Sequence, residues 1–447
     1  MCCHFVIMNT PGISDGLKNK DQMNKLCIAT LLATLTPLMH VAQDFKRALF
    51  LGNSYTNYNN LPQLTANVAL SAGDTLEVGS NMPGGYTFEN HLGNTTSMNL
   101  ITEGTWDFVV LQQQSQMPAF PLAQVEVETF PFATQLNEAI LSANPCAETV
   151  FYMTWGRENG DQQNCANWPP VCTYEGMDDL LRERYVMMAE MNQGIVSPVG
   201  AVWRYLRENH PTLELFASDG SHPSPEGSYA AALAFYTSIF RKSPLNTNYN
   251  YTIADSTEAI MRNVVHEVVY NQLNEWYIGT WDPVASGTVE LAIQNQFLLV
   301  NTSTNSTENY YAVDGGPFTA MTNDSVFFDA ATPGEHWIEL VATACGRSDT
   351  TQITFDFVST TPYPNEISSL RVFPNPASEY IVLQAPLTLL SNPLVVTDTK
   401  GSVIPCNYVL DGKHVRIDCS NWAGGMYYLN FKNETPQKGI PIVVQRD

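Results

Sequence analysis

The chain has 447 residues, 44% of them hydrophobic, with 44 acidic against 21 basic side chains and a formal net charge of −23. At roughly 100–200 residues per domain this length implies two to four domains, and the apolar share suffices to bury real cores. So large a negative charge repels a polyanionic backbone and an anionic bilayer surface, which removes nucleic acid and acidic membranes from the expected partners.

Residues 1–43 read as a targeting segment. Lys25 precedes the apolar stretch Ile28–Met39, which has signal-peptide rather than membrane-spanning length, and a start at Met23 gives a tidier signal with cleavage near Ala42 or Gln43. Nothing later is long and apolar enough to cross a bilayer. From 44 to 280 short apolar runs alternate with helix-period segments, the pattern of βαβ units around a parallel sheet covered on both faces. Strands are predicted at Ala48–Leu51, Thr75–Val78, Phe108–Leu111, Val150–Thr154 and Ile195–Ser197. Helices are predicted at Leu61–Ala72, Leu122–Ala143, Met177–Met191 and Val199–Glu208. Ser224-Pro225 supplies an N-cap and a first-turn proline ahead of a further helix, Tyr229–Phe240, and a last one runs from Ser256 to Trp276.

After Asp282 long helical patterns vanish. Residues 283–360 hold β-rich segments, Phe297–Val300, Ser325–Phe328 and Trp337–Val341, between Asn, Gly, Thr and Pro clusters, which suggests a β-sandwich. Tyr311–Gly316 and the run Pro333–Thr343 resemble polycystic-kidney-disease-type immunoglobulin-like modules. Thr360–Pro364 is a joint, and residues 365–447 form a third, β-rich unit. Its segments Leu370–Ser378, Asp398-Thr399-Lys400-Gly401, Gly424–Tyr428 and Ile440–Val444 are similar to the C-terminal sorting domain of type IX secretion. That resemblance implies the type IX export machinery as partner and a secreted or surface-attached bacterial protein. Past the signal, Cys146, Cys165, Cys172, Cys345, Cys406 and Cys419 permit disulfides, with Cys165–Cys172 and Cys406–Cys419 as the local pairs. No paired Cys-x-x-Cys or His at ligand spacing points to a metal.

The chemistry begins where Ala48-Leu49-Phe50-Leu51 runs into Gly52-Asn53-Ser54-Tyr55. Ser54 thus follows the carboxyl end of the first strand, the edge at which open α/β sheets bind ligands. Far downstream stands Asp219-Gly220-Ser221-His222-Pro223-Ser224-Pro225. A hydroxyl near neutral pH is a poor nucleophile until a base takes its proton, and imidazole suits that task. A carboxylate three residues earlier can accept from the other ring nitrogen and fix the tautomer.

Together these two motifs resemble the SGNH (GDSL-like) hydrolases over about 230 residues of the chain. The resemblance implies an α/β fold, a flavodoxin-like three-layer sandwich with a parallel sheet, followed here by two β-sandwich modules. It implies Ser54 as nucleophile, His222 as general base and then acid, Asp219 as its orienting carboxylate, and no cofactor. The family's Gly-Asp-Ser reads Gly-Asn-Ser here. Oxyanion donors are expected from the Ser54 amide, from Gly85 in the pair Gly84-Gly85, and from a side-chain amide. In place of Gly-x-Asn-Asp stands Leu111-Gln112-Gln113-Gln114-Ser115-Gln116, similar to a subgroup with Leu-Gln-x-Gln-Ser, so Gln114 is expected as donor, with Gln112 next and Gln116 also open. Trp155 and Arg157, after the fourth strand, are candidates for stacking on a sugar and for holding an acidic group; His91 is read as structural or rim.

The expected substrate is an ester, O-acyl groups on an extracellular polysaccharide above all. The rivals are an inactive carbohydrate-binding or adhesive protein and a glycoside hydrolase, for which Asp161 and Glu175 are available without a spacing signal.

Overall fold

The computed structural model describes residues 43–249, 251–293, 296–330, 332–357, 370–384, 394–411, 414–431 and 439–446. The expected targeting segment, Gln43 apart, and the Thr360–Pro364 joint lie outside the described residues.

A five-stranded parallel sheet is built from β1 (Phe45–Leu51), β2 (Thr75–Asn81), β3 (Phe108–Leu111), β4 (Glu148–Tyr152) and β5 (Ile195–Ser197); β3, β5 and most of β1 and β4 are apolar runs buried on both faces, whereas the edge strand β2 buries only Leu76. Their order is β2-β1-β3-β4-β5, the doubly wound flavodoxin-like arrangement, whose strand order reverses at β1 and β3. Leu51 at the end of β1 is in register with Asn81 and with Leu111, so the segments after β1, β2 and β3 leave the sheet side by side. In one helical layer α1 (Leu61–Ser71) packs on the last sheet-covering helix; in the other, α2 (Phe130–Ala143) meets α3 (Tyr174–Met191). Then come α4 (Val199–Asn209), α5 (Pro225–Phe240), the partner of α1, and α6 (Asp255–Val268). The chain is therefore α/β here, as its sequence pattern predicts.

Three helical details differ from expectation. The predicted helix Leu122–Ala143 is two, Leu122–Glu128 and α2, broken at Thr129 (φ −130°, ψ −58°). Pro131 cannot donate to the residue four before it and its ring crowds that carbonyl, so the helix restarts there. The last predicted helix stops at Val268 and continues as a 3₁₀ segment, Tyr270–Trp276, tied back by Trp276 Nε1 donating to the Val268 carbonyl at 2.8 Å. Two short helices, Phe88–Leu92 and Thr95–Thr102, were not expected; Thr87 and Asn94 cap them, Thr87 in a reciprocal box with Asn90.

The next β-rich stretch forms a three-stranded antiparallel sheet, β6 (Gly287–Ile293), β7 (Gln296–Asn301) and later β10 (Ser325–Asp329), facing a four-stranded one. The latter holds β8 (Glu308–Val313), β9 (Thr319–Ala320), β11 (Gly334–Ala344) and β12 (Arg347–Phe357). Phe297, Leu299, Phe328, Ile338 and Leu340 fill the space between them. Among the described residues from 370 onward two further four-stranded antiparallel sheets follow, with a core including Ile381, Val396, Val415 and Ile442.

Cys165 and Cys172 are bonded as expected. Cys406 and Cys419 are free thiols, which corrects the other local pairing; Cys419 is buried in the last core and Cys406 packs against it. The second bridge joins Cys146, just before β4, to Cys345 in the β11–β12 turn, 199 residues away, a pairing that sequence proximity does not suggest. Beside it Glu148 accepts from Arg241 at 2.8 Å and from Arg347 at 2.7 Å, and Asp282 accepts from the same two arginines.

Candidate active site

β1 delivers the chain to the carboxyl edge of the sheet, where Gly52 makes a turn that no larger residue fits. A Cβ on Gly52 would stand 2.2 Å from Thr56 Oγ1 and 3.0 Å from Gln112 Oε1. Asn53 then caps a single helical turn, Ser54–Asn57, its Oδ1 accepting from the Tyr55 amide at 3.2 Å. Ser54 is the first residue of that turn, so its amide has no partner within the helix by position.

Beneath this turn lies Gln112, fully buried. Its Oε1 accepts from the Asn53 amide (3.0 Å) and the Thr56 hydroxyl (2.8 Å), and its Nε2 donates to Asn53 Oδ1 (2.8 Å) and the Gln113 carbonyl (2.8 Å). Both amide hydrogens are spent, so Gln112 holds the Ser54–Asn57 turn and has none left to donate elsewhere, against its reading as an oxyanion donor. Asn53 in turn donates to the Tyr86 carbonyl at 3.0 Å, which brings the Gly84-Gly85 turn beside it. Here an asparagine has a physical reason: its amide both accepts and donates, whereas an ionised aspartate at this buried place would only accept. His91 is buried and structural, Nε2 bonding the Gly52 carbonyl at 3.0 Å and Nδ1 the Ser97 hydroxyl at 2.8 Å. Burial lowers its pKa to about 4, so it stays neutral near pH 7.

His222 arrives on an irregular loop ahead of α5. Asp219 Oδ1 accepts from the amides of Ser221 (3.0 Å) and His222 (2.9 Å), which curls the loop, and Gly220 takes a positive φ of 65° that favours glycine. Asp219 Oδ2 bonds His222 Nδ1 at 2.5 Å, and His222 Nε2 meets Ser54 Oγ at 2.8 Å. Partial burial pushes the Asp219 carboxyl up, but hydrogen bonds from the His222 side chain and from the two amides outweigh it and leave the pKa below the ordinary value. The three residues picked from the sequence therefore stand in one hydrogen-bonded line.

The remaining expected residues divide. Gly85 is exposed at φ 73° with nothing within 4 Å of where a Cβ would be, so its amide is approachable. Gln114 Nε2 donates to Gln116 Oε1 at 3.1 Å and Gln116 Nε2 to Asp161 Oδ2 at 2.8 Å, each with a second hydrogen; Gln114 is part-buried, whereas the Gln116 bond is buried. Trp155 is not a sugar platform, which corrects that expectation: it is fully buried, with Tyr55 on one face (4.9 Å) and Trp203 on the other (3.7 Å). Its Nε1 instead supports the histidine loop by donating to the Ser221 carbonyl at 3.1 Å. Arg157 pairs with Asp161 at 3.3 Å, and its charge also reaches the Tyr55 hydroxyl, itself 2.6 Å from Ser221 Oγ. Burial raises the Tyr55 pKa, keeping that hydroxyl protonated. Asp161 is fully buried and spent on Arg157, Gln116, Asn164 and the Gln163 amide, so it is not free to act as one of the two carboxylates of glycoside cleavage, whereas Glu175 is exposed. That one of Gln112 and Gln114 only satisfies buried backbone groups was open from the sequence, and Gln112 is that one; sequence reasoning missed the contacts of Tyr55, Tyr58 and Asn59 with the histidine loop. The nearest signal was the polar run Asn57-Tyr58-Asn59-Asn60, three residues past Ser54. Among the described residues no group of three or more His, Cys, Asp or Glu is arranged to hold a metal, and no helix is long and apolar enough to cross a membrane.

No curated protein matches the chain. Among solved structures it is similar to a DUF4886 family protein from Bacteroides uniformis, at 16% identity over 50% of this chain and 94% of that one, with a TM-score of 0.43. A protein from Slackia heliotrinireducens assigned to the SGNH hydrolases aligns at 28% identity over 44% of this chain and 100% of its own, with a TM-score of 0.37. The PKD1 domain of the Vibrio cholerae metalloprotease PrtV aligns at 21% identity over 17% of this chain and 95% of that domain, with a TM-score of 0.15. Residues 371–445 match the family model of the secretion system C-terminal sorting domain. The chain's tail accordingly belongs to that sorting-domain family, and the protein is a type IX export substrate that ends up secreted or on the cell surface.

Proposed function

We propose that this exported protein is a serine esterase of the SGNH type that removes O-acyl groups, acetyl above all, from an extracellular polysaccharide. The observation that carries the reading is the line Asp219 Oδ2, His222 and Ser54 Oγ, with contacts of 2.5 and 2.8 Å. His222 Nε2 takes the Ser54 proton as Oγ attacks the ester carbonyl carbon. The tetrahedral oxyanion lies against the Ser54 amide, the Gly85 amide and the remaining Gln114 hydrogen. Collapse breaks the bond to the alcohol oxygen, which leaves with the proton from His222. A water, deprotonated by the same imidazole, then attacks the acyl-serine; the carboxylic acid departs and Ser54 recovers its proton. No cofactor is required by these steps.

Export and the appended β-rich segments favour a polymer outside the cell as the bearer of the ester. Arg157, held beside Tyr55, suits a sugar with an acidic substituent. The test is hydrolysis of p-nitrophenyl acetate and acetate release from acetylated polysaccharides, by wild type and Ser54→Ala. Turnover that is equal in the two proteins would defeat the proposal.

A further inference from the structure

The Ser54–His222 contact joins segments 168 positions apart, and neither group is carried by a long element. Ser54 opens a four-residue turn and His222 lies on an irregular loop. Asp219 is 47% exposed, so water screens its hold on the ring. Something else must keep the imidazole over the hydroxyl.

Two residues just past the nucleophile do this. Asn59 sits at φ 54°, a left-handed conformation that asparagine tolerates better than most side chains. That turn aims its amide at the start of α5. Asn59 Nδ2 lies within hydrogen-bond distance of the Pro223 carbonyl (3.2 Å), the Ser224 carbonyl (3.1 Å) and the Ser228 hydroxyl (2.8 Å), the last on a side chain that is 1% exposed. One side chain thereby fastens the nucleophile segment to the residues that follow His222. Next to it the Tyr58 ring stacks on the imidazole, centroids 4.3 Å apart and planes 16° from parallel. Tyr55 meets the same ring edge-on at 5.3 Å and 69°, backed by the Trp155 and Trp203 stack.

We infer that Tyr58 and Asn59 are positioning residues of this site: Asn59 clamps the histidine loop to the nucleophile segment, and the Tyr58 ring fixes the plane of His222 and favours the imidazolium formed when Ser54 loses its proton. The inference rests on the esterase reading above. A cation over an aromatic face is attracted by the ring's quadrupole, and this attraction grows as charge develops on His222 during acyl transfer. It therefore acts on the chemical step more than on substrate binding.

The test uses the full secreted chain, with kcat and KM for p-nitrophenyl acetate expressed per active site counted by fluorophosphonate titration. Tyr58→Leu keeps an apolar cover but deletes the ring, and should lower kcat about 2–30-fold with KM within about twofold. Tyr58→Phe keeps the ring face and should return kcat to within about threefold of wild type. Asn59→Gly accepts the same backbone conformation without strain and removes only the amide, and should lower kcat about tenfold. Wild-type kcat in Tyr58→Leu and in Asn59→Gly would overturn the inference, as would a loss in Tyr58→Leu that Tyr58→Phe does not restore. If wild type turns over the ester no faster than Ser54→Ala, the esterase reading itself fails and the clamp falls with it; failure of the clamp alone leaves wild type active.

Discussion

Replacing Gly52 by alanine asks whether packing sets the position of Ser54. The new Cβ would stand 2.2 Å from Thr56 Oγ1, 2.9 Å from Thr56 Cβ and 3.0 Å from Gln112 Oε1. Turning Thr56 about χ1 relieves only the first of these, because its Cβ is fixed by the backbone, and Thr56 is 1% exposed with little room to turn. The chain itself must shift between β1 and the first turn, where Ser54 sits. Overpacking of this kind costs about 1–3 kcal/mol, and losing the 2.8 Å bond from Thr56 to Gln112 adds about 1 kcal/mol. At about 2–4 °C per kcal/mol, a total of about 2–4 kcal/mol lowers the melting midpoint by about 4–16 °C. Hydrolysis of p-nitrophenyl acetate should suffer more, kcat/KM falling at least about tenfold, since displacing a reacting atom by an ångström costs on the order of a hundredfold. Adding Thr56→Gly to Gly52→Ala removes both close Thr56 atoms and should recover part of the melting loss and of the rate. A Gly52→Ala protein that melts within about 1 °C of wild type at unchanged kcat/KM would show that the packing around Gly52 does not set the position of Ser54.

Asp219→Asn should cost about 10²–10⁴ in kcat by removing the carboxylate that orients and charge-balances His222. Because the folded Asp219 pKa is depressed, its stabilisation is present above about pH 4 and lost as pH falls through the lower folded value. The melting gap between wild type and Asp219→Asn should therefore shrink on acidification below pH 4, and a gap independent of pH would count against it. His336 has the opposite sign: its hydrogen bonds to Asp314 (2.6 Å) and to the Thr332 carbonyl (2.6 Å) raise its pKa. Its contribution is complete below about pH 6.5 and fades as pH climbs through the raised value, so a His336→Gln melting deficit that grows with pH would exclude this account. Cys345→Ser opens a loop spanning 199 positions, a change worth up to about 5 kcal/mol in the chain-entropy description. It should make the β11–β12 turn more sensitive to limited proteolysis at unchanged ester turnover; proteolysis identical to wild type would show that the ion pairs alone hold the turn.

Much of the site was legible because its chemistry is carried by short local words. Gly52-Asn53-Ser54 after an apolar run and Asp219-x-x-His222 before a capped helix each encode their own turn, so their placement at one sheet edge follows from strand order. What sequence could not give are contacts between segments far apart in the chain. Gln112 and Gln114 look alike in a row of glutamines, yet burial beneath Asn53 consumes every hydrogen of the first and leaves one on the second. Trp155 reads equally as platform or core until both its faces are seen covered. The Cys146–Cys345 bridge depends on where the β11–β12 turn lands, which no local pattern records.

That landing place bears on what the protein can act upon. In a parallel sheet the amino ends of the strands share one edge and the carboxyl ends the other. Ser54 follows the carboxyl end of β1, whereas Cys146 and Glu148 stand at the amino end of β4. The disulfide and the Glu148, Arg241, Asp282 and Arg347 ion pairs therefore fasten the β11–β12 turn at the edge away from Ser54. Four charges in alternating contact around a covalent bridge resist the hinge motion that a bare linker would permit. The β11–β12 turn is thus fastened at the sheet edge opposite Ser54. Ser54 is reached from the carboxyl edge of the parallel sheet, the edge opposite the one to which the β11–β12 turn is fastened.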